Sequence, residues 1–479
     1  MRIEKILNEK SALSYTIALT IVVLIIPILV RVFFFDGLVI GEEPYHHIRM
    51  AKLVLKGAEN DPLSFQGREY IFDPYDYILA FFSIIFTMQI ASMLLPFMCG
   101  IASTIIFYFI LRDFKIDGTM RFLMIGFFVT TPVFIFIYSS PNRLGFLLML
   151  DMLGFYLFSR KEKIAFIFGT LILCIVPLFG LFHAYISILF ILSYAIYRKQ
   201  TKKFFLFLIP FSAVALFFGI SFYLEHGIPN QPSFIKHNYI RESIALTGAN
   251  MGFSIFLLFL ATIGLIMAWK TRLRPFYLGI IFLIMSISIL ISPQYNIYLN
   301  IIIILLGTVG FLGVIERRWE LIIVRDMTVF IIVLGILFTT LSYLGELAKS
   351  KPTKETVEAM EWLHSSASTR ETILSSYQNG FWIEYFANRQ TVMDSDFTYA
   401  PSVEERYNDT RTIFTSRDYE TTTKLLKKYN VRYILIDREM TPLMRNEKKQ
   451  IGLPFLLENS ENFKKAKQYN SIEIWEFLG

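Results

Sequence analysis

Residues 15–50 read YTIALTIVVLIIPILVRVFFFDGLVIGEEPYHHIRM, and this stretch decides the class of the protein. An apolar run of the length that crosses a bilayer, about 17 to 25 residues, comes first. Two acids, two histidines and an arginine follow it closely. Because the run lacks a small-residue cleavage site, we interpret it as an uncleaved signal anchor. The sequence therefore predicts a membrane protein whose first span ends in a loop rich in titratable groups.

Composition supports the same class. The chain has 479 residues, of which 54% are hydrophobic and 18% charged, and its mean hydropathy is +0.52. Soluble globular proteins carry about 25% charged residues. The two cysteines, Cys99 and Cys174, lie inside apolar runs, so no disulfide framework is predicted.

The apolar pattern predicts eleven membrane spans. They are expected at 14–35, 88–112, 119–138, 143–159, 164–181, 183–197, 203–224, 251–269, 275–292, 295–315 and 327–348. A further apolar piece, Tyr77–Thr87, is too short to span and predicts an interfacial or re-entrant helix. Residues 1–348 are thus expected to form a transmembrane domain.

The distribution of basic residues is consistent with this count, because cytoplasmic loops carry an excess of Lys and Arg. With the N-terminus in the cytoplasm, every predicted inner loop is basic, and the short outer loops carry almost no basic residues. The net charge of +7 then belongs to cytoplasmic loops and predicts no nucleic-acid partner. Two outer loops are long, 36–76 and 225–250.

Residues 349–479 differ sharply in composition and predict an extracytoplasmic α/β domain; we call them the tail segment. Helices are expected at Thr353–Ser365, Phe381–Ala387 and Tyr419–Lys428. Strands are expected at Thr372–Ser376 and Val431–Ile436, with a hairpin around Tyr469–Ser471. An odd number of spans places the tail segment on the same side as loop 36–76.

Loop 36–76 carries the densest chemistry in the chain. Its ionisable side chains include Glu42, Glu43, His46, His47, Arg49, Asp61, Arg68, Asp73 and Asp76. If Glu43 begins a helix, the two histidines lie three and four residues on, on the same side of that helix. A carboxylate beside imidazoles can act as a base, a metal ligand or an anion clamp. The alternative is an ordinary loop whose charges are solvated, and the HEXXH zinc pattern is absent.

Three polar residues fall in or near apolar runs: Arg31, Asp151 and His183. Charged groups at membrane depth are costly and usually functional. Arg31 and Asp151 lie close enough to the span ends to reach water or a partner, so a structural role is equally open. His183 follows a predicted outer turn and is expected to line a cavity.

Two regions carry a family resemblance. GEEPYHHIRMAKLVLKG (41–57), followed by DPLSF (61–65) and FDPYDYILAFF (72–82), resembles the first outer loop of GT-C membrane glycosyltransferases. AMEWLHSSASTRETILSSYQNGFWIEYFANRQTVMDSDF (359–397) resembles the catalytic subunits of archaeal oligosaccharyltransferases. DYETTTKLLKKYNVRYILI (418–436) is similar to the helix–strand pair that follows in that family.

The resemblance implies an α-helical polytopic membrane protein with the GT-C fold and a C-terminal α/β domain. It implies transfer of a sugar from a polyprenyl (dolichyl) phosphate-linked donor to an extracytoplasmic acceptor. Glu43 stands where the family has the aspartate that acts as base or holds a divalent metal, such as Mg or Mn, and Glu42 adjoins it. The other implied substrate contacts are His46, His47, Arg49, Arg68, Asp73, Asp76, His183, Glu242, Gln294, Tyr377 and Gln378.

Several family positions differ in this chain. The acceptor motif corresponds to Ser376–Gly380, with Gln378 in place of its aspartate. The second outer loop, Ser139–Asn142, lacks the metal-binding acidic pair. Gln294 replaces an arginine that contacts lipid phosphate, and Glu242 stands near the family's loop glutamate without matching flanks. These differences weaken the expectation of metal binding and of sequon recognition.

Three functions therefore remain open. The first is a glycosyltransferase, and the second an inactive paralogue that binds lipid-linked glycan or a transferase partner. The third, a transporter or flippase, is disfavoured because the sequence has no inverted repeat. The resemblance implies an archaeal plasma membrane with the N-terminus cytoplasmic. Donor sugar, acceptor and oligomeric state are not indicated.

Overall fold

The computed structural model describes residues 9–227, 232–234, 239–247, 249–269, 293–444 and 452–479. Helices dominate up to residue 366. They are α1 Glu9–Phe34, α2 Glu43–Leu55, α3 Pro74–Ile85, α4 Met88–Asp113, α5 Gly118–Thr130, α6 Pro132–Ser139, α7 Arg143–Ser159, α8 Lys163–Leu173, α9 Leu181–Tyr197, α10 Thr201–His226, α11 Tyr239–Ser243, α12 Ile255–Trp269, α13 Asn296–Glu316, α14 Ile322–Lys349 and α15 Lys354–Ser366. A short hairpin, β1 Asn60–Asp61 and β2 Arg68–Glu69, lies between α2 and α3.

Five helices in the described ranges are long and apolar enough to cross a membrane, or six if one bent pair is a single span. The chain is a multi-pass membrane protein. Other predicted spans correspond to shorter apolar helices, such as α9 with 17 residues and α12 with 15. A 17-residue helix is about 26 Å long, slightly less than the hydrocarbon core. The predicted span 275–292 lies outside the described residues, so the count of eleven stays a prediction.

The predicted span 119–138 is two helices rather than one. The chain bends by 62° between α5 and α6. Thr131 is extended, with ψ of 141°, and its hydroxyl accepts a hydrogen bond from Phe134 N as the N-cap of α6. Pro132 explains the break, because proline disfavours helical geometry in the residue before it and lacks an N–H.

Arg31 has a structural role. At the end of α1 its guanidinium donates to the carbonyls of Leu38, Val39, Ser350 and Pro352 at 2.8 to 3.1 Å. The arginine is 2% exposed. It therefore ties the end of the first span to the connection between α14 and α15, and its charge is dispersed over backbone oxygens rather than left bare in the membrane.

In the tail segment, a mixed five-stranded sheet has the order β4-β3-β5-β7-β6. Its strands are β3 Thr372–Leu374, β4 Gln390–Thr391, β5 Val431–Asp437, β6 Phe463–Gln468 and β7 Ile472–Phe477. Strand β3 runs parallel to both β4 and β5, whereas β7 runs antiparallel to β5 and β6. The remaining helices are α16 Val403–Thr415, α17 Tyr419–Lys428 and α18 Leu453–Asn459, and a helical turn Gly380–Trp382 continues as a π-helical turn Ile383–Ala387.

Helices cover both faces of this sheet. Met360 and Leu363 of α15 share a buried cluster with Ile373, Leu435 and Ile474. On the other face, side chains of α16, α17 and α18 pack on alternate residues such as Leu374, Ile434 and Trp475. The strand period of two places these sets on opposite faces. The helices and strands expected in the tail segment are present, with ends shifted by one or two residues.

The loop between α2 and α3 packs on the edge of the sheet. Thr391 N donates to Leu63 O at 3.1 Å, next to strand β4. Gln66 Nε2 donates to Tyr429 O at 2.6 Å, and Trp382 Nε1 to Gly41 O at 3.2 Å. The loop is therefore held between the apolar helices and the tail segment.

Candidate functional site

A polar cavity of about 360 Å³ opens where loop 36–76, α7 and the tail segment meet. Its walls carry most of the loop residues predicted from sequence. The lining residues include Glu42, Glu43, His46, His47, Arg68, Asp73, Asp76, Arg143, Phe381, Ser395 and Asp396. We call it the polar cavity.

Helix α2 places Glu43 and His47 on one side of this cavity. Glu43 lies in the first turn, and Pro44 follows it, a residue that suits a helix start. A carboxylate at a helix N-terminus is favoured by the helix dipole. His47 is one turn further on, and its Nε2 lies 3.8 Å from Glu43 Oε1. The expected helix starting at Glu43 is thus present.

His47 is held by a second acid. Its Nδ1 lies 2.7 Å from Asp76 Oδ1, and Asp76 is 1% exposed. Burial lowers the pKa of His47, but the charge and hydrogen bond of Asp76 and the nearby Glu43 carboxylate outweigh it and raise the pKa to about 10. Burial, partly offset by His47, raises the pKa of Asp76 to about 6. At neutral pH the pair is therefore ionised, with the imidazolium facing Glu43.

Glu43 is ionised as well. Burial raises the pKa of its carboxyl, but the imidazolium of His47 3.8 Å away, with the charge of Arg143, brings the net pKa below its usual value. Asn142 Nδ2 also donates to Glu43 Oε2 at 3.3 Å. The Asn142 side chain is held in this orientation because it is the N-cap of α7, where its Oδ1 accepts a hydrogen bond from Leu144 N at 2.8 Å. The Glu43 side chain keeps 43% of its surface exposed, so this charged carboxylate is accessible.

Glu42, unlike Glu43, is protonated at neutral pH. Burial raises the pKa of its carboxyl to about 8, against a hydrogen bond from Ser395 Oγ at 3.1 Å. The charges of Glu43 and Asp394 raise the pKa further. Glu42 thus holds a proton at neutral pH, while its neighbour does not.

The tail segment contributes Ser395 and Asp396, which follow the carboxyl end of β4. Asp396 accepts from Arg68 Nη2 at 2.7 Å. Burial raises the pKa of Asp396, but the charge and hydrogen bond of Arg68 reduce it to about 2. The ring of His46 lies 4.7 Å from that of Phe381, and burial holds the pKa of His46 well below its usual value. A neutral imidazole and an ion pair therefore line this wall.

Arg49 does not line the polar cavity. Its guanidinium forms a bidentate ion pair with Asp61, with Nη2 to Oδ2 at 2.7 Å, and also pairs with Glu384 Oε2 at 2.5 Å. All three side chains are almost fully buried. Because two carboxylates already occupy the guanidinium, Arg49 links loop 36–76 to the tail segment. It is not placed to contact sugar or phosphate.

Other predicted contacts lie outside the polar cavity. His183 is inside the helix bundle, where its Nδ1 lies 3.2 Å from Tyr298 Oη. Tyr377 packs on Phe397, with ring centroids 5.2 Å apart. Gln378 is exposed beside it, and neither Glu242 nor Gln294 belongs to the cavity wall.

Sequence reasoning missed Asn142, Arg143, Ser395 and Asp396 as site residues. Arg143 Nη1 lies 3.4 Å from Asp73 Oδ2, and 36% of its side chain is exposed. The signal for Ser395 and Asp396 was the run Asp394–Asp396 just after a strand, since ligands of α/β sheets bind beyond the carboxyl ends of parallel strands. The signal for Asn142 and Arg143 was their position directly before an apolar helix, where asparagine is a favoured N-cap.

The donor set does not fit a divalent metal. In the described part of the chain, no three His, Cys, Asp or Glu side chains are arranged to hold a metal ion. The acids of the polar cavity are instead engaged with His47, Arg68, Arg143 and Ser395.

Solved structures resemble this fold over most of the chain. Archaeoglobus fulgidus oligosaccharyltransferase AglB, in complex with an inhibitory peptide and a dolichol-phosphate, aligns with a TM-score of 0.68 at 14% identity, covering 90% of this chain and 69% of that one. ArnT from Cupriavidus metallidurans, bound to undecaprenyl phosphate, aligns with a TM-score of 0.55 at 10% identity, covering 96% and 98%.

The chain has the GT-C fold. The predicted resemblance to GT-C glycosyltransferases is thereby confirmed as a distant one. A further Archaeoglobus fulgidus oligosaccharyltransferase structure, a complex with Zn and sulfate, has a TM-score of 0.65 at 15% identity, covering 93% of this chain and 70% of that one. No family model and no curated protein matches the sequence. At these identities the likeness shows the GT-C fold, and the chemistry has to be argued from the cavity.

Proposed function

We propose that this chain is a membrane glycosyltransferase that moves a sugar from a polyprenyl-phosphate-linked donor to an extracytoplasmic acceptor. The observation that carries the proposal is Glu43: an ionised, accessible carboxylate in a polar cavity, held by His47 and Asn142. The GT-C neighbours that bind dolichol-phosphate and undecaprenyl phosphate support the donor class.

In the proposed reaction, Glu43 takes the proton of an acceptor hydroxyl. The acceptor oxygen then forms a bond to the anomeric carbon of the donor sugar. The bond between that carbon and the phosphate oxygen breaks, and its electron pair leaves with the lipid phosphate. Such general base catalysis contributes about 10²- to 10⁴-fold.

Two other groups fit supporting roles. Arg143 lines the polar cavity with a partly exposed side chain, so it is suited to stabilise the negative charge of the departing phosphate. Glu42 keeps its proton at neutral pH and can donate a hydrogen bond to a sugar hydroxyl or a phosphate oxygen. Neighbouring carboxyls with separated pKa values are typical of acid and base pairs.

The test is a transfer assay with the purified protein and a panel of dolichyl-phosphate and dolichyl-pyrophosphate sugars. We expect turnover by the wild type and a loss of about 10²- to 10⁴-fold in Glu43→Gln. Glu59→Gln, an exposed acid on the same loop, is the matched control and should retain wild-type turnover.

Undiminished turnover in Glu43→Gln would remove Glu43 from the mechanism. Binding of the lipid donors without transfer by any of them would favour the inactive paralogue instead. The replaced acceptor-motif aspartate at Gln378 is the observation that keeps this second candidate open.

A further inference from the structure

A second cavity, which we call the apolar cavity, lies among α4, α7, α9 and α13 and has a volume of about 380 Å³. Its lining residues differ from those of the polar cavity. Four phenylalanines line it, Phe107, Phe114, Phe155 and Phe190, with aliphatic side chains between them. A cavity of this size falls in the range of small-molecule sites.

One part of its wall is polar. Asp151 of α7 is 9% exposed and accepts two hydrogen bonds. Ser187 Oγ donates to Oδ1 at 2.7 Å, and Tyr298 Oη donates to Oδ2 at 2.9 Å. These three residues belong to the cavity lining.

The hydrogen bonding of this wall restricts the ligand. A hydroxyl has one hydrogen, so that of Tyr298 is committed to Asp151, and that of Ser187 to Asp151 or to His183 O, 3.0 Å away. His183 Nδ1, 3.2 Å from Tyr298 Oη, then donates to that oxygen. What remains toward the cavity is lone pairs on oxygen. A molecule that binds there must therefore bring its own hydrogen-bond donor.

The charge and apolarity of the walls restrict it further. A phosphate or carboxylate would meet the acid of Asp151 without a donor to receive it. An ammonium group could pair with Asp151, but the desolvation of a second charge among hydrocarbon side chains can exceed that gain. A chain without polar groups would leave the remaining lone pairs of Asp151 unmatched.

We propose that the apolar cavity binds a single-chain lipid alcohol, with its hydroxyl donating to Asp151 and its chain among the phenylalanines. The proposal does not depend on the proposed glycosyltransferase function, because the two cavities are formed by different residues. His183, which was predicted to line a cavity, is not among the lining residues of the apolar cavity, whereas Ser187 and Tyr298 are.

The probe is dodecanol carrying a diazirine on its alkyl chain, photo-crosslinked to the full-length protein in detergent and mapped by peptide mass spectrometry. We expect saturable labelling of α4, α7 and α9 at the cavity. Unlabelled dodecanol should compete, whereas dodecyl methyl ether and dodecyl phosphate should compete at least fivefold more weakly. Unsaturable labelling spread over exposed helix surfaces, or equal competition by the ether, would overturn the proposal.

Two variants test the position of the site. Ile191→Trp fills the cavity and should reduce labelling at least fivefold, whereas Leu192→Trp, the adjacent residue outside the lining, should not. If Ile191→Trp lowers the yield of folded protein, Leu148→Phe fills the same space from α7. In Asp151→Leu the ether should compete as well as the alcohol. Full labelling in both filling variants, or a retained preference for the alcohol in Asp151→Leu, would contradict the assignment.

Discussion

Glu42 and Glu43 are adjacent in the chain but differ in protonation. Glu43 lies one helical turn before His47, whose imidazolium keeps the glutamate charged. Glu42 accepts a hydrogen bond from Ser395, and burial outweighs this bond and the charge of Lys351 and raises the pKa of Glu42 to about 8. The difference arises from the direction of each side chain at the start of α2. Asp76 keeps His47 protonated, and through His47 it determines that Glu43 is ionised.

Asp76→Asn should move the acidic limb of the pH profile of transfer to higher pH. Without the Asp76 charge, burial brings the pKa of His47 down, and Glu43 loses the cation that offsets its own burial. The pKa of Glu43 then rises, so activity is lost at a higher pH as the solution is acidified. We expect the acidic limb of the kcat/KM profile to move by at least one pH unit, which corresponds to about 1.4 kcal/mol.

Asp76→Glu, which keeps the charge, is the control and should retain a limb near that of the wild type. A lower rate with an unmoved limb in Asp76→Asn would make Asp76 a structural residue only.

The density of acids and histidines in loop 36–76 left an ordinary solvated loop open, and the family resemblance pointed to these residues as a site; in the structure most of them line the polar cavity. Site residues outside this loop have no such cluster of charges around them in the sequence. Asn142 and Asp396 are 99 and 353 positions from Glu43 and reach the site only through packing. Arg49 was predicted as a substrate contact because sequence shows a charge and not its partners.

At the scale of elements, one buried cation joins α2 to the tail segment. Arg49 holds Asp61 of β1 and Glu384 of the π-helical turn together. Burial raises the pKa of Glu384; the charge of Arg49 lowers this pKa but does not outweigh burial and the charges of Asp394 and Asp61. Thr391 Oγ1 donates to the other Glu384 oxygen at 2.8 Å.

Arg49→Met should destabilise the protein by about 3 to 5 kcal/mol, because it leaves buried carboxylates without their cation. Thermal unfolding in detergent measures this as a lower midpoint. Arg325→Met removes an exposed pair with Asp326 and is the matched control, for which we expect a change within about 0.5 kcal/mol.

Adding Asp61→Asn and Glu384→Gln to Arg49→Met should recover part of the loss, since neutral side chains need no cation. An unchanged midpoint in Arg49→Met alone would show that the ion-pair cluster contributes nothing to the docking of α2.

Elements with a clear period were predictable, and breaks inside apolar runs were not. The strand Val431–Ile436 and the helix Tyr419–Lys428 have strong alternation or amphipathic patterns, and the structure contains both. In 119–138 the hydropathy is continuous across Thr131–Pro132, so the run appeared as one span although proline marked the bend. Helices such as α8 are shorter than a membrane span, so the number of spans also stays a prediction.

For the whole molecule, the orientation in the membrane can be tested at two exposed positions. Asn408 on α16 is predicted to be extracytoplasmic, and Lys199 lies in a predicted inner loop. In a chain with Cys99→Ala and Cys174→Ala, an impermeant maleimide should label Asn408→Cys in intact cells. Lys199→Cys should be labelled only after permeabilisation. The reverse pattern would overturn the alternation of spans.

The polar cavity joins parts of the chain that are made at very different times. Arg49 and Glu384 are 335 positions apart, and Ser395 contacts Glu42 from a similar distance. During synthesis the first loop leaves the ribosome long before its partners do. Until the sheet has formed against it, Arg49 has only Asp61, and Glu42 has no Ser395. A nascent or truncated chain therefore has an incomplete cavity, and any chemistry at Glu43 begins only after the last third of the protein has folded onto the first.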